Sequence, residues 1–540
     1  MNKETEKGNK DKNPVIVIGL DGAEYSLIQK WSHEGYLPTI ASLIDNGCWG
    51  ILDSTAVICS GTVWPSTNTG LSPYKHGVFY GHKEFVSGTY QITRKYADEV
   101  NGAHFWKWLS QAGKKIAIFD IPYTYPQAEL DGIQITAWGS FAPEWKTSSQ
   151  PGELIKEIVS YFGAHPLSGW YERKPQTIRD YESFYSKLIF GVERRCEISE
   201  YLLEKQSWDL FSLAFSEIHW AGHLLWHLID ETHPFHDPSL PKSIKASVRK
   251  LYSAIDYSIS RLMEFCPGAT VLIYSPEGMG PNYSGNHILP EVLRRLGMDE
   301  YLMNGVQPTD NSFITRFLNQ LEPHKRWGTG AIRRLEEILP LNIIEMLKRF
   351  VPRRTWDSWT RRILYAGNGW ERSKAFMIPG EYSGAIRINL MDREPNGLVE
   401  QGKEYDEVCE ELIEKLICLV NVDTGQPAVD EVVRLDKVFN TNDVKHFPDI
   451  LVKWKGDAPI KQLSSQQIGT IYGESNEVRS GAHRPYGFLI ASGKGICKGK
   501  VLTGGNIMDL APTILYLLGQ SIPQEMDGKV LMDMVDERLR

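Results

Sequence analysis

Two histidines four residues apart, His219 and His223, follow an apolar run in the segment Phe215-Ser216-Glu217-Ile218-His219-Trp220-Ala221-Gly222-His223. If a helix begins near Ile218, residues i and i+4 lie one above the other, and both imidazoles can face one cation. The chain has 14 histidines, so such a pair is equally a surface or core feature until a third ligand is found. Asp21, directly before Gly22, is the second candidate. A carboxylate there can reach a cation at a sheet edge or cap the next helix, and both readings stand. The third is the hydroxyl-rich stretch from Cys59 to Gly70, which contains Ser60 and Thr62. A serine at a helix N-terminus has backbone amides beside it to receive a phosphoryl oxygen, and an adjacent cation lowers its hydroxyl pKa. The bland alternative is a helix cap.

The elements that must position these residues are short continuous apolar runs. They span 15–20, 115–119, 210–215, 270–274, 450–454 and 487–491, separated by helical or loop stretches. Runs of this kind are strands buried on both faces, and their alternation with helical segments predicts an α/β sandwich with a mostly parallel sheet. Ligands gather beyond the carboxyl ends of such strands, where Asp21, His219/His223 and Ser275-Pro276-Glu277 all fall. We expect a disordered tail over 1–13, a core over 14–300 and 369–540 with a cap-like insertion at about 138–203, and a helical cap insertion over 301–368.

Read in order, these pieces resemble the alkaline phosphatase superfamily, in particular its type I phosphodiesterase/nucleotide pyrophosphatase branch and the bacterial phosphohydrolases related to it. The resemblance covers nearly the whole chain. It rests on Asp21-Gly22, on Ser60 ahead of Thr69-Gly70-Leu71-Ser72-Pro73 and His76-Gly77-Val78, and on the His219/His223 segment with Trp226. Later come Ser275-Pro276-Glu277-Gly278-Met279-Gly280, Gly384 to Asn389, Arg479 to Arg484 with His483, and Asp509 to Thr513 with Met526-Asp527-Gly528. The resemblance implies an alkaline-phosphatase-like α/β/α sandwich with helical cap insertions.

In that family an Asp and a Ser or Thr nucleophile bind one metal with an Asp-His pair. A second metal takes an Asp, a His four residues later and a His near the C-terminus. Carried over, Asp21 and Ser60 fall on the first set, with Thr62 the alternative nucleophile, and His223 and His483 on the second. Two departures follow. His219 stands where many members have Asp, giving a set of three imidazoles that suits Zn²⁺ with an open fourth position. Pro276-Glu277 replaces the Asp-His pair, so the first set keeps Asp21, Ser60 and Glu277. We therefore expect one Zn²⁺ site in preference to two, with Mn²⁺ or Mg²⁺ as alternatives. Arg484, beside His483, is a candidate substrate contact or a structural ion-pair partner. His76 reads as structural, His227, His233 and His236 as solvated loop residues, Asp449 as a turn residue and Asp509 as a cap.

A net charge of −8 gives no long-range attraction to nucleic acid or anionic membrane. The local basic stretch from Arg333 to Arg362 reads as a solvated helical face. Seven scattered cysteines without a CxxC pair fit a reducing compartment. No apolar run reaches the roughly 18 residues of a membrane span, and residues 1–13 lack the apolar core of a signal peptide. The expectation is a cytoplasmic, metal-dependent hydrolase or transferase of a small phosphate ester, a diester in preference to a monoester, acting through Ser60 without nucleic-acid or membrane partners. The alternatives are a catalytically degraded binding or scaffold protein and a sulfuryl or phosphonate hydrolase or transferase.

Overall fold

A computed structural model of the protein describes residues 13–540 except 82, 141–146, 169–173, 300–368, 379, 381, 474–477 and 540. The expected tail (apart from Asn13), the expected helical cap over 301–368 and its basic stretch lie outside the described residues.

Val15–Leu20 is an apolar run with all six residues buried. Side chains of a strand alternate between faces. Ile16 and Ile18 accordingly join one apolar cluster with the helices Tyr25–His33, Ile178–Lys205 and Ser247–Phe265. Val15 and Val17 join a second cluster with the helices Val63–Thr69, Trp106–Gln111 and Leu510–Leu517. Burying one such side chain contributes about 1.5–3 kcal/mol, so a strand apolar on both faces is stable only between two helical layers. The expected α/β/α sandwich is observed. From the segment 138–203, expected as a cap-like insertion, the helix Ile178–Lys205 packs into the first of these layers.

The nine-stranded sheet runs Lys500–Leu502, Cys48–Asp53, Tyr486–Ser492, Thr270–Ser275, Val15–Leu20, Leu210–Phe215, Ile116–Phe119, Gly132–Thr136, Ser148–Gln150. Val15–Leu20 pairs in parallel with Leu210–Phe215 on one side and Thr270–Ser275 on the other. Three carboxyl ends therefore lie side by side and deliver Asp21, the helix carrying His219, and Pro276-Glu277 to one edge. Tyr486–Ser492 is antiparallel to Thr270–Ser275.

Ile450–Trp454 is not part of this sheet. It pairs antiparallel with Gly384–Ile388 and Val429–Arg434 in a separate four-stranded sheet with its own apolar cluster. A run buried on both faces has the same composition in either sheet. Asp449, read as a turn residue, is fully buried there and accepts hydrogen bonds from Arg393 and Tyr405.

A buried charge network fixes the start of the helix Glu217–Leu225. Arg195 donates from Nε to both Glu217 oxygens, at 3.1 and 3.2 Å, and from Nη1 to Asp120 Oδ2 at 2.8 Å. His165 Nε2 lies 2.9 Å from Glu217 Oε1, and Asp120 also accepts the amides of Trp138 and Gly139 at 2.8 Å each. Burial raises the Glu217 pKa, but Arg195 and His165 outweigh it and leave the carboxyl below the ordinary glutamate value. Removing one partner of a buried pair strands the other charge, at about 3–5 kcal/mol. Glu217→Gln is accordingly expected to lower the unfolding free energy in urea by about 3–5 kcal/mol. Glu407→Gln, in the exposed Lys403–Glu407 pair, is expected to leave it unchanged within error.

Candidate metal centre and nucleophile

Asp21 leaves the sheet by hydrogen bonding its amide to Phe215 O, and Gly22 then turns with φ +69°. A Cβ on Gly22 would lie 3.1 Å from Met279 Cε and 3.5 Å from His483 Cε1, so the turn is packed against the site itself. Asp21 does not cap the following helix: Glu24 caps Tyr25–His33 by accepting from Ser26 N. Asp21 stays buried, with Oδ1 accepting from Trp64 Nε1 at 2.9 Å and Oδ2 lying 3.4 Å from His219 Nδ1.

The helix starts at Glu217, one residue before the position read from sequence, and presents His219 and His223 on one face with ring centroids 4.6 Å apart. His483 comes from the strand Gly481–Arg484, opposite Met279 in the antiparallel partner Gly278–Pro281. Its ring centroid is 4.9 Å from that of His219 and 4.6 Å from that of His223. Glycine permits this approach, since a Cβ on Gly481 would come within 2.1 Å of Gly222 O. His223 Nδ1 lies 2.9 Å from Gly481 O. Burial holds the His223 pKa well below the ordinary histidine value, and the positive charge of Arg479 and the neighbouring rings acts in the same direction. The ring is thus held neutral, the form that ligates metals.

Ser60 opens a 3₁₀ turn, Ser60–Thr62, that runs into the helix Val63–Thr69. Its hydroxyl makes no cap. It donates to Glu277 Oε1 at 2.8 Å, and the same oxygen lies 3.2 Å from His483 Nδ1. The Pro276-Glu277 segment is pinned by Ser54 Oγ donating to Pro276 O and by Ser275 Oγ donating to Glu277 O, each at 2.6 Å. Two groups of buried ligand-type atoms result, each with its atoms within 4.8 Å of one another: His219, His223 and His483, and Asp21, His219 and Glu277.

Asp21, Ser60, His219, His223, Glu277 and His483 thus come together, and Thr62 and Arg484 do not. Thr62 is fully buried, with its hydroxyl against Thr55 O, Thr55 Oγ1 and Cys59 O at 2.9, 2.8 and 2.7 Å. Arg484 is the strand neighbour of His483 and so projects to the other face. It donates to Pro281 O at 3.0 Å and lies over the Tyr382 ring. His76 is buried, with Nε2 2.9 Å from Ser66 Oγ; Ser66 accepts from Thr55, which links His76 to Thr62 behind the Ser60 turn. His227 and His233 are buried and not solvated, His227 lying between Tyr181 OH at 2.8 Å and Ser480 Oγ at 3.0 Å. Asp509 does cap, accepting the Asn506 amide.

Trp64, Arg479 and the Arg195 network escaped the sequence reading. Arg479 sat in a quoted motif without a role. Trp64 and Arg195 carry no local signal, since their partners are 43 and 22 residues away.

The model of the type I phosphodiesterase/nucleotide pyrophosphatase family matches residues 15–458. Among solved structures, wild-type alkaline phosphatase PafA aligns with a TM-score of 0.51 at 13% identity, over 98% of this chain and 100% of that one. A substituted PafA gives 0.50 at 12%, over 98% and 100%. Murine ectonucleotide pyrophosphatase/phosphodiesterase 5, in an inactive form with AMP, gives 0.46 at 12%, over 97% and 100%. The PafA likeness speaks to the fold. No curated protein matches the sequence. With most of its length matched, the chain belongs to the type I phosphodiesterase/nucleotide pyrophosphatase family.

Proposed function

We propose that the protein cleaves a phosphate ester, a diester in preference to a monoester, with Ser60 as nucleophile and a divalent cation held among His219, His223, His483, Asp21 and Glu277. The observation that carries this reading is the Ser60 hydroxyl, buried and hydrogen bonded to Glu277 Oε1 at 2.8 Å beside the three imidazoles. The donors fit a cation: His223 Nε2 and Asp21 Oδ2 are buried polar atoms without a hydrogen-bond partner among the described residues, an arrangement that is costly unless something else satisfies them. A bound divalent cation supplies charge neutralisation on the phosphoryl oxygens.

The protein's own groups account for the proton and the bonds. Ser60 Oγ forms a bond to phosphorus, the bond from phosphorus to the leaving oxygen breaks, and the hydroxyl proton passes to Glu277 Oε1, which already accepts it. Water then cleaves the seryl ester, and Ser60 regains its proton. The charge balance favours a diester. Asp21 and Glu277 place two carboxylates at the centre, so a single dication leaves little surplus positive charge, enough for a monoanionic diester but poor for a dianionic monoester.

Ser60→Ala is expected to lower turnover of bis-(p-nitrophenyl) phosphate by at least roughly 10³-fold, with circular dichroism unchanged. Removing bound metal with a chelator is expected to abolish turnover, and adding Zn²⁺ or Mn²⁺ to restore it. The competing reading, a catalytically degraded binding protein, is favoured by Pro276, which has no ligating side chain in the place of a family ligand. It predicts no turnover with any of these metals, a result that would sink the enzyme reading.

A further inference from the structure

We propose that Trp64 is a positioning residue of this centre: its indole N–H engages one oxygen of Asp21, leaves the other to the cation, and so ties the helix that follows Ser60 to the metal donors. The inference rests on the reading that the centre binds a divalent cation with Asp21 among its donors. It goes beyond that reading by giving a residue outside the donor set a part in binding.

Trp64 stands four residues after Ser60, in the first turn of the helix Val63–Thr69 into which the nucleophile turn runs. Its indole reaches back to the sheet, where Nε1 donates to Asp21 Oδ1 at 2.9 Å, with both side chains buried. Asp21 Oδ2 is buried without a hydrogen-bond partner among the described residues, and this is the oxygen that lies 3.4 Å from His219 Nδ1. The two oxygens of one carboxylate thus have separate duties, Oδ1 toward the scaffold and Oδ2 toward the centre. The terminal torsion of an aspartate is broad, so the side chain's own preferences do not set this orientation. The bond from Trp64 does, and carboxylates that ligate metals are generally held by such outer hydrogen bonds.

The sheet is shaped to admit the indole. Gly19 lies in the strand Val15–Leu20, two residues before Asp21, and a Cβ there would come within 2.7 Å of Trp64 Cη2. Tyr274, on the paired strand Thr270–Ser275, packs edge-on to Trp64 with ring centroids 5.8 Å apart. Filling that space needs only a ring; satisfying Asp21 Oδ1 needs the N–H. The nucleophile segment is therefore attached to two neighbouring strand ends. Ser60 donates to Glu277 beyond Thr270–Ser275, and Trp64 donates to Asp21 beyond Val15–Leu20.

The test is titration of the chelator-stripped, full-length protein with Zn²⁺, and separately with Mn²⁺, by calorimetry. The unaltered chain is compared with two forms that lack the donor. Trp64→Phe removes the N–H together with part of the ring. Site-specific replacement of Trp64 by benzothienylalanine keeps the bicyclic shape and puts sulfur in place of the N–H, so the packing against Gly19 and Tyr274 is retained. Both forms are expected to bind the cation about 10–100-fold more weakly than the unaltered protein, with circular dichroism unchanged in the benzothienyl form. A purely space-filling tryptophan predicts that the benzothienyl form binds as tightly as the unaltered chain. That result would overturn the inference and leave the proposed enzyme standing. Failure of the unaltered protein to bind either cation would overturn both.

Discussion

One lone pair governs this centre. His219 stands between two carboxylates on one side and two imidazoles on the other, and as a neutral ring it can give itself to only one cation. Glu277 lies at the same centre, its Oε1 accepting from the Ser60 hydroxyl and lying 3.2 Å from His483 Nδ1.

The scaffold enforces that arrangement by placing three parallel strands side by side, so that each carboxyl end contributes one part of the centre. Backbone closeness does the rest. Gly222 lies in the helix between the two histidines, and Gly481 opens the strand that brings His483 against it. The Arg195 network then holds the first turn of that helix from below, with all its charged groups buried. Such a network contributes little net stability compared with an apolar core, but it fixes position firmly, because every alternative strands a charge.

Five strands of the main sheet were legible because runs buried on both faces have a distinctive composition, and their ends pointed to Asp21, His219 and Glu277; the partly exposed Cys48–Asp53, Gly132–Thr136, Ser148–Gln150 and Lys500–Leu502 were not. Ile450–Trp454 was misassigned for the same reason, since such a run does not say which sheet it joins. The pairing of Ser60 with Glu277 spans 217 residues and leaves no periodic trace; only the likeness to a known family put the two together. Arg484 shows the opposite failure. Adjacency to His483 suggested a shared role, yet neighbours on a strand face opposite ways. His227, His233 and Asp449 looked like loop residues in polar stretches, but the sequence offers no sign of the tertiary partners that bury them.

The most direct measurement is covalent. Acid quenching during turnover of a slow phosphodiester, followed by peptide mass spectrometry, asks where the phosphoryl group resides. The account predicts an adduct of the phosphoryl group with its remaining ester on Ser60. An adduct on Thr62, or turnover with no adduct on the chain, would contradict it.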